Sequence, residues 1–323
     1  MKPVVASSSA RSSGDLIADR RFAWGEASAR EGDFAAAADL FAQTLEITPQ
    51  WAPCWLALGE ARGKLGDIDG ARDAFARAVK IDVNGDLGGG LRLAALGFAP
   101  APDCAPAAYV RDLFDQYAGR FDEHLVGALG YRAPEVLRQA VERARRRRAQ
   151  GAEFQAPEFQ GPQFAMMLDL GCGTGLAARA FTPLAAAIEG VDLSGEMIAE
   201  AAKTGLYAKL EAAGLVEFLR LRAPAAADLA IAADVFVYMG DLAPAFQACA
   251  RALASGGLFA FTTQRADGGG WRVGADLRYA HSEAYLREVA AAAGFDVASL
   301  EPVSTRRDAG LDVPGLACVL ERT

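Results

Sequence analysis

The chain has 323 residues, a net charge of −8 and a pI near 5.0, with 52% hydrophobic and 23% charged residues. That balance belongs to a folded protein long enough for two domains, and its acidity excludes wholesale binding to nucleic-acid phosphates. The five cysteines (Cys54, Cys104, Cys172, Cys249, Cys318) are odd in number and form no C-x-x-C pair, so neither a disulfide framework nor a zinc site is expected. Free thiols point to a reducing cytoplasm. No apolar run reaches the roughly 18 residues of a membrane span, so no membrane partner is expected.

Residues 1–17 are Ser-rich with no apolar core, and read as a disordered tail. A helical pattern with an internal period follows. Gly25 and Gly59, Gly32 and Gly66, Ala37 and Ala71, and Phe41 and Phe75 are each 34 residues apart. Small residues at these places let paired helices approach, and Trp55, Phe41 and Phe75 fill the space between units. Asp33 and Asp67 follow the turn glycines, where they can cap the next helix. The period, with "WLALGEARGKLGDIDGARDAFARAVKID" as the better copy, resembles the tetratricopeptide repeat (TPR), a helix–turn–helix unit. A helix near residues 87–96 is expected to close the array. The resemblance implies an all-α repeat domain over residues 18–100, able to contact a protein or peptide or only to stabilise its neighbour.

The Pro/Ala stretch "GFAPAPDCAPAAY" marks a boundary, and residues 101–323 are expected to form the second domain. An amphipathic segment follows, with Leu113, Phe114, Tyr117, Phe121 and Leu125 at helical spacing. The next helix ends in Arg143 and Arg145 to Arg148, a solvated terminus whose charges suit the helix dipole.

"MMLDLGCGTGLAARAF" then reads as a buried strand, a glycine loop and a helix start, the first unit of a doubly wound α/β fold. Its glycines run G-x-G-x-G, and Leu176 stands where the dinucleotide fingerprint needs its third glycine. Asp169 just before the loop is unsuited to a pyrophosphate and suited to a cation. "AAIEGVDLS" reads as the second strand, ending in Asp192, 19 residues after Gly173. An acid there is placed for ribose hydroxyls.

"LDLGCGTG" closely resembles the first motif of class I S-adenosylmethionine-dependent methyltransferases, and the chain looks most like bacterial methyltransferases that carry TPRs. The resemblance covers about residues 109–322, supported by "LFDQYAGRFDEHL" and "AADVFVYMGDL". It implies a seven-stranded, mostly parallel Rossmann-like sheet ending in an antiparallel hairpin, and S-adenosyl-L-methionine as cofactor. It further implies cofactor contacts from Asp169, Gly171, Cys172, Gly173, Gly175, Asp192, Leu193 and Met197. Tyr117 matches an aromatic hydroxyl near the methionyl end, Ala213 and Leu215 can offer backbone contacts on the adenine side, and Ala232 is a further cofactor contact. At the third strand Gly214 stands where the family usually has an Asp. Ala232, Asp234, Phe236 and Tyr238 are expected at the mouth.

Methyl transfer needs alignment first, and a base only where the acceptor must lose a proton. Base candidates are His124, Tyr238 and Asp234. His281, just before the helix cap Ser282, reads as structural. Three functions stay open: a methyltransferase acting on an O or N nucleophile of a small molecule, a protein methyltransferase whose TPRs present the target, and a TPR scaffold with an inactive domain. A nicotinamide oxidoreductase is distant.

Overall fold

The computed structural model describes residues 12–120, 122, 130–151, 161–308 and 310–323. Its chain divides into two compact units: one runs up to Leu113 and takes in Val273–Leu277, and the other comprises Phe114–Arg272 and Arg278–Thr323. No helix of the described residues is long and apolar enough to cross a membrane.

The first unit is a run of antiparallel helices, α1 (Leu16–Glu31), α2 (Phe34–Ile47), α3 (Ala52–Lys64), α4 (Ile68–Ile81) and α5 (Gly89–Ala95). The 34-residue period has a direct steric cause. A Cβ at Gly25 would stand 2.5 Å from the Phe41 ring, and one at Gly59 2.4 Å from the Phe75 ring. Each phenylalanine therefore lies on the glycine of its own helix pair, not only between pairs as the sequence suggests. Phe22 links the first pair to the next, with ring centroids 5.3 Å from Phe41 and 4.6 Å from Trp51. Gly32 and Gly66 take positive φ in the turns, and the carboxylates of Asp33 and Asp67 accept from the amides of Ala36 and Gly70. Tyr109 also belongs to this unit, where the Arg92 guanidinium lies 5.7 Å from its ring.

After α6 (Ala107–Asp115) and α7 (Ala133–Gly151), the second unit alternates strand and helix. It contains β1 (Phe164–Leu170), α8 (Leu176–Phe181), β2 (Ala185–Asp192), α9 (Gly195–Ala202), β3 (Lys209–Ala212), α10 (Leu215–Leu221) and β4 (Ala227–Ala232). It continues through α11 (Ala243–Ala252), β5 (Leu253–Arg265), β6 (Trp271–Val273), β7 (Tyr279–His281), α12 (Glu283–Ala292), β8 (Phe295–Val303), β9 (Arg307–Asp308), β10 (Leu311–Asp312) and β11 (Gly315–Arg322). The main path of the sheet is β3-β2-β1-β4-β5-β11-β8. Its first five strands are parallel, and β11 inserts antiparallel between β5 and β8.

Both faces are covered, as a parallel sheet requires. On one face Phe236, Phe246, Phe259, Phe261 and Phe295 form a cluster of tilted and edge-to-face rings beneath α11 and α12. On the other, Leu137, Val141, Met167, Phe181 and Ile188 pack α7 and α8 onto the strands. The direction of strand order reverses at β1, so the crevice for a ligand opens at the carboxyl ends of β1 and β4.

Candidate cofactor and methyl-transfer site

The loop after β1 is shaped by its glycines. Gly171, Gly173 and Gly175 have φ of 71°, 54° and 93°, the left-handed region that favours glycine. At Gly171 the constraint is doubled, because a Cβ would lie 2.5 Å from Val235 Cγ2. The amides of Gly171 and Cys172 donate to Val191 O at 2.8 and 2.9 Å, which ties the loop to β2. Asp192, at the end of β2, completes the tie: its carboxylate accepts from the amides of Gly173 and Ser194, each at 2.9 Å.

Asp169 lies beneath the loop with 1% of its surface exposed. Oδ2 accepts from the Tyr207 hydroxyl at 2.7 Å, while the buried Oδ1 has no hydrogen-bond partner of good geometry among the described residues. Burial raises the Asp169 carboxyl from 3.8 to about 7, and the Asp192 charge adds to the rise against the Tyr207 bond. Burial also raises Asp192, opposed by its two amide donors and assisted by Asp115. Cys172 is buried, and its thiol is pushed far up by burial and the same two carboxylates.

Asp115, the last residue of α6, and Asp122 reach this region. Ser194 Oγ accepts from the Met197 amide as the cap of α9 and donates to Asp115 Oδ1. Thr174 Oγ1 donates to Asp122 Oδ1, and Arg179 stands 3.7 Å from the same carboxylate. Asp115, Asp122, Asp169 and Asp192 thus converge around one crevice. The fit to a cationic ligand rests on this donor set: an orphaned buried carboxylate oxygen, a second, half-buried acid, and a glycine loop lacking the dinucleotide pattern. S-adenosyl-L-methionine, with its sulfonium, ammonium and ribose hydroxyls, matches that chemistry.

The methyltransferase-domain family profile matches residues 168–261, and the tetratricopeptide-repeat profile matches residues 28–92. The chain carries a methyltransferase domain. Tetratricopeptide repeats precede it. No curated protein sequence is significantly similar to this chain. Among solved structures, it is similar to a Burkholderia thailandensis 1,6-didemethyltoxoflavin-N1-methyltransferase that holds S-adenosylhomocysteine. The identity is 20%, covering 70% of this chain and 93% of that one, with a TM-score of 0.49. A Leishmania major S-adenosylmethionine-dependent methyltransferase is 18% identical, covering 57% and 73%, with a TM-score of 0.44. One from Mesorhizobium loti is 23% identical, covering 54% and 99%, with a TM-score of 0.40.

Within the methyltransferase domain, the other sequence candidates occupy varied places. Leu193 and Leu215 are half-buried, whereas Met197 and Ala232 are fully buried. Gly214 caps α10 without a side chain, and a Cβ there would meet no atom within 4 Å, so nothing steric excludes the Asp common in the family. Tyr117 is 36% exposed, its amide donating to Phe114 O at 3.0 Å. Tyr238 is half-buried, edge-on to Phe114 at 5.5 Å with the Arg278 guanidinium 5.9 Å from its ring. Phe236 does not line the mouth as expected. It is fully buried in the aromatic cluster, because the 3-10 turn Phe236–Tyr238 directs it inward.

His124 lies outside the described residues. Asp234 adopts φ 57° and is fully engaged: its amide donates to Thr262 Oγ1 at 2.8 Å, and that hydroxyl donates back to its carboxylate at 2.8 Å. Arg306, 7% exposed along its side chain, pairs with the same carboxylate at 3.4 Å, and Thr305 Oγ1 donates to it at 3.3 Å. His281 is fully buried, with Nε2 3.1 Å from Gly240 O and Nδ1 2.7 Å from Thr263 Oγ1. A carbonyl only accepts, so Nε2 carries the proton and Nδ1 accepts from the threonine. Burial lowers this imidazole to about 4.

Sequence reasoning missed Tyr131 and Tyr207. The Arg132 amide donates to Thr305 O at 2.9 Å, which pins Tyr131 beside the Asp234 cluster. Burial, then the charges of Asp234 and Asp169, push its phenol well up. Tyr207 did leave a signal, namely Gly190 in the middle of β2. A Cβ there would stand 2.7 Å from the Tyr207 ring.

Proposed function

We propose that this enzyme transfers the methyl group of S-adenosylmethionine to an O or N nucleophile of a small molecule. The observation that carries the reading is the pair of acids, buried Asp169 and half-buried Asp192, on adjacent strand ends around a G-x-G-x-G loop. In this reading Asp169 faces the cofactor's ammonium, and Asp192 accepts from the ribose hydroxyls. Gly171, Cys172, Gly173 and Gly175 give close backbone approach. Leu193 and Met197 border the adenosine, Leu215 and Ala232 the adenine edge, and Tyr117 the methionyl end.

The bound cofactor supplies a methyl group on a sulfonium whose sulfide leaves readily. The chain's own contribution is alignment and exclusion of water. Neither Asp234, neutralised by Arg306, nor His281, held neutral between two partners, is free to take a proton. The hydroxyls of Tyr238 and Tyr131 are left to orient the acceptor. This favours nucleophiles that need no strong base.

We assign residues 101–323 to catalysis and residues 18–100 to a repeat surface for protein or peptide contact; the first repeat helix starts two residues before that range, at Leu16, inside the segment expected to be a tail. Five free cysteines, four of them buried, support a reducing cytoplasm. Calorimetric titration of the full chain with S-adenosylmethionine, S-adenosylhomocysteine and NAD tests the reading. Micromolar binding of both adenosyl ligands and none of NAD supports it. No adenosyl binding would make the missing acid at Gly214 decisive and favour the scaffold.

A further inference from the structure

We propose that Tyr207 is a positioning residue for the methyl donor, its hydroxyl holding the Asp169 carboxylate ionised and aimed toward the cofactor's ammonium group. The inference rests on the assignment of Asp169 made above. It adds a residue from the connection between α9 and β3, outside the motifs that identify the domain.

Three independent contacts define the seat of Tyr207. Its hydroxyl donates to Asp169 Oδ2 at 2.7 Å. Its ring fills the space that a Cβ at Gly190 would need, at 2.7 Å. On the loop side, a Cβ at Gly175 would lie 3.3 Å from Tyr207 Cε2 and 3.5 Å from its hydroxyl oxygen. A glycine inside a parallel strand costs stability, and here it leaves room for one aromatic ring. That ring lies between β2 and the cofactor loop and delivers one hydroxyl to the buried acid.

The chemistry gives the hydroxyl a task. Asp169 is buried with one oxygen unpartnered, and burial works against its charged form. A protonated carboxyl offers little to an ammonium. A hydrogen bond donated to the carboxylate favours its ionised form. The other titratable groups facing Asp169 are Asp192 from β2, Cys172 from the loop and Tyr131 from the segment before α7. Asp192 opposes ionisation, and Cys172 and Tyr131 are both held in their neutral forms. Tyr207 alone of these four donates a short hydrogen bond to the carboxylate among the described residues.

Tyr207→Phe keeps the ring and removes the donor. The test is the dissociation constant of S-adenosylhomocysteine for the wild type and for Tyr207→Phe from pH 6.5 to 9. 5′-Methylthioadenosine, which has no ammonium, is titrated in parallel. The ligand's own titration is common to both proteins and cancels in the ratio. Losing a hydrogen bond to a charged group should raise Asp169 by about one pH unit. The affinity ratio for S-adenosylhomocysteine should then approach about tenfold near pH 6.5 and fall to about one at pH 9. For methylthioadenosine it should stay near one throughout. A ratio independent of pH, or an equal loss for both ligands, would show that Tyr207 only packs, and would overturn the proposal. Absence of S-adenosylhomocysteine binding to the wild type would instead overturn the cofactor assignment of Asp169, and the proposal with it.

Discussion

Gly171 and Val235 meet across the crevice so closely that no side chain fits between them: a Cβ on Gly171 would stand 2.5 Å from Val235 Cγ2. The loop after β1 is therefore set by the residue that follows β4 as well as by its own glycines. Gly171→Ala adds a left-handed penalty of about 1–2 kcal/mol and an overpacking cost of about 1–3 kcal/mol. Chemical denaturation should show a loss of about 2–5 kcal/mol, together with weaker cofactor binding. In a Val235→Ala background the same substitution should cost less, because the clash is relieved and only the backbone strain stays. Equal costs in both backgrounds would mean that Val235 does not shape the loop.

Asp169 is a functional group held at the expense of stability. Its carboxyl rises from 3.8 to about 7, corresponding to about 4 kcal/mol as an upper bound. The sign is that of a raised acid: its contribution to stability is full below the unfolded value near 3.8 and is lost as pH rises through about 7. Asp169→Asn keeps an acceptor for Tyr207 and removes the charge. The ligand-free variant should melt higher than the wild type at pH 8 and about equally at pH 4, while binding of S-adenosylhomocysteine falls steeply. A variant that is less stable at pH 8 would remove the argument that burial strains this group.

The cofactor half of the site was legible because its residues are close in sequence: β1, the glycine loop, Asp192 and the Ser194 cap lie within 31 residues of one another. The repeat was equally legible, since each 34-residue step returns a glycine to a phenylalanine. What stayed hidden depends on pairings between distant segments. Tyr207 reaches Asp169 across 38 residues, and Arg306 reaches Asp234 across 72. Asp115 meets Ser194 across 79 residues, although Asp115 and Asp122 are spaced for one helical face. Phe236 falls in the core because the chain turns into a 3-10 helix at Phe236–Tyr238, a local turn that its apolar residues do not mark.

His281 should act as a determinant of acid stability, not of catalysis. Its imidazole is lowered to about 4 by burial, against 6.5 in the unfolded chain. The contribution is full above pH 6.5, is lost as pH falls toward 4, and amounts to about 3 kcal/mol. Melting temperature should therefore depend less steeply on pH between 4 and 6.5 in His281→Asn than in the wild type, from a lower starting stability at pH 7. A general base would instead show a collapse of turnover in His281→Asn with the melting curve unchanged.

The Asp234–Arg306 pair separates a structural acid from a catalytic one. Both side chains are mostly buried and 3.4 Å apart, with Thr262 and Thr305 satisfying the remaining carboxylate valences. Breaking such a pair from one side leaves an uncompensated buried charge, at a cost of about 3–5 kcal/mol. Arg306→Gln should destabilise the protein by that order, and Asp234→Asn together with Arg306→Gln should recover part of the loss. Thermal melts of the two single variants and the double variant give the coupling directly. If Asp234 were the proton acceptor, Asp234→Asn would abolish methyl transfer while leaving stability intact. The pairing with Arg306 predicts the opposite ordering, with stability falling first and the residual folded enzyme still turning over.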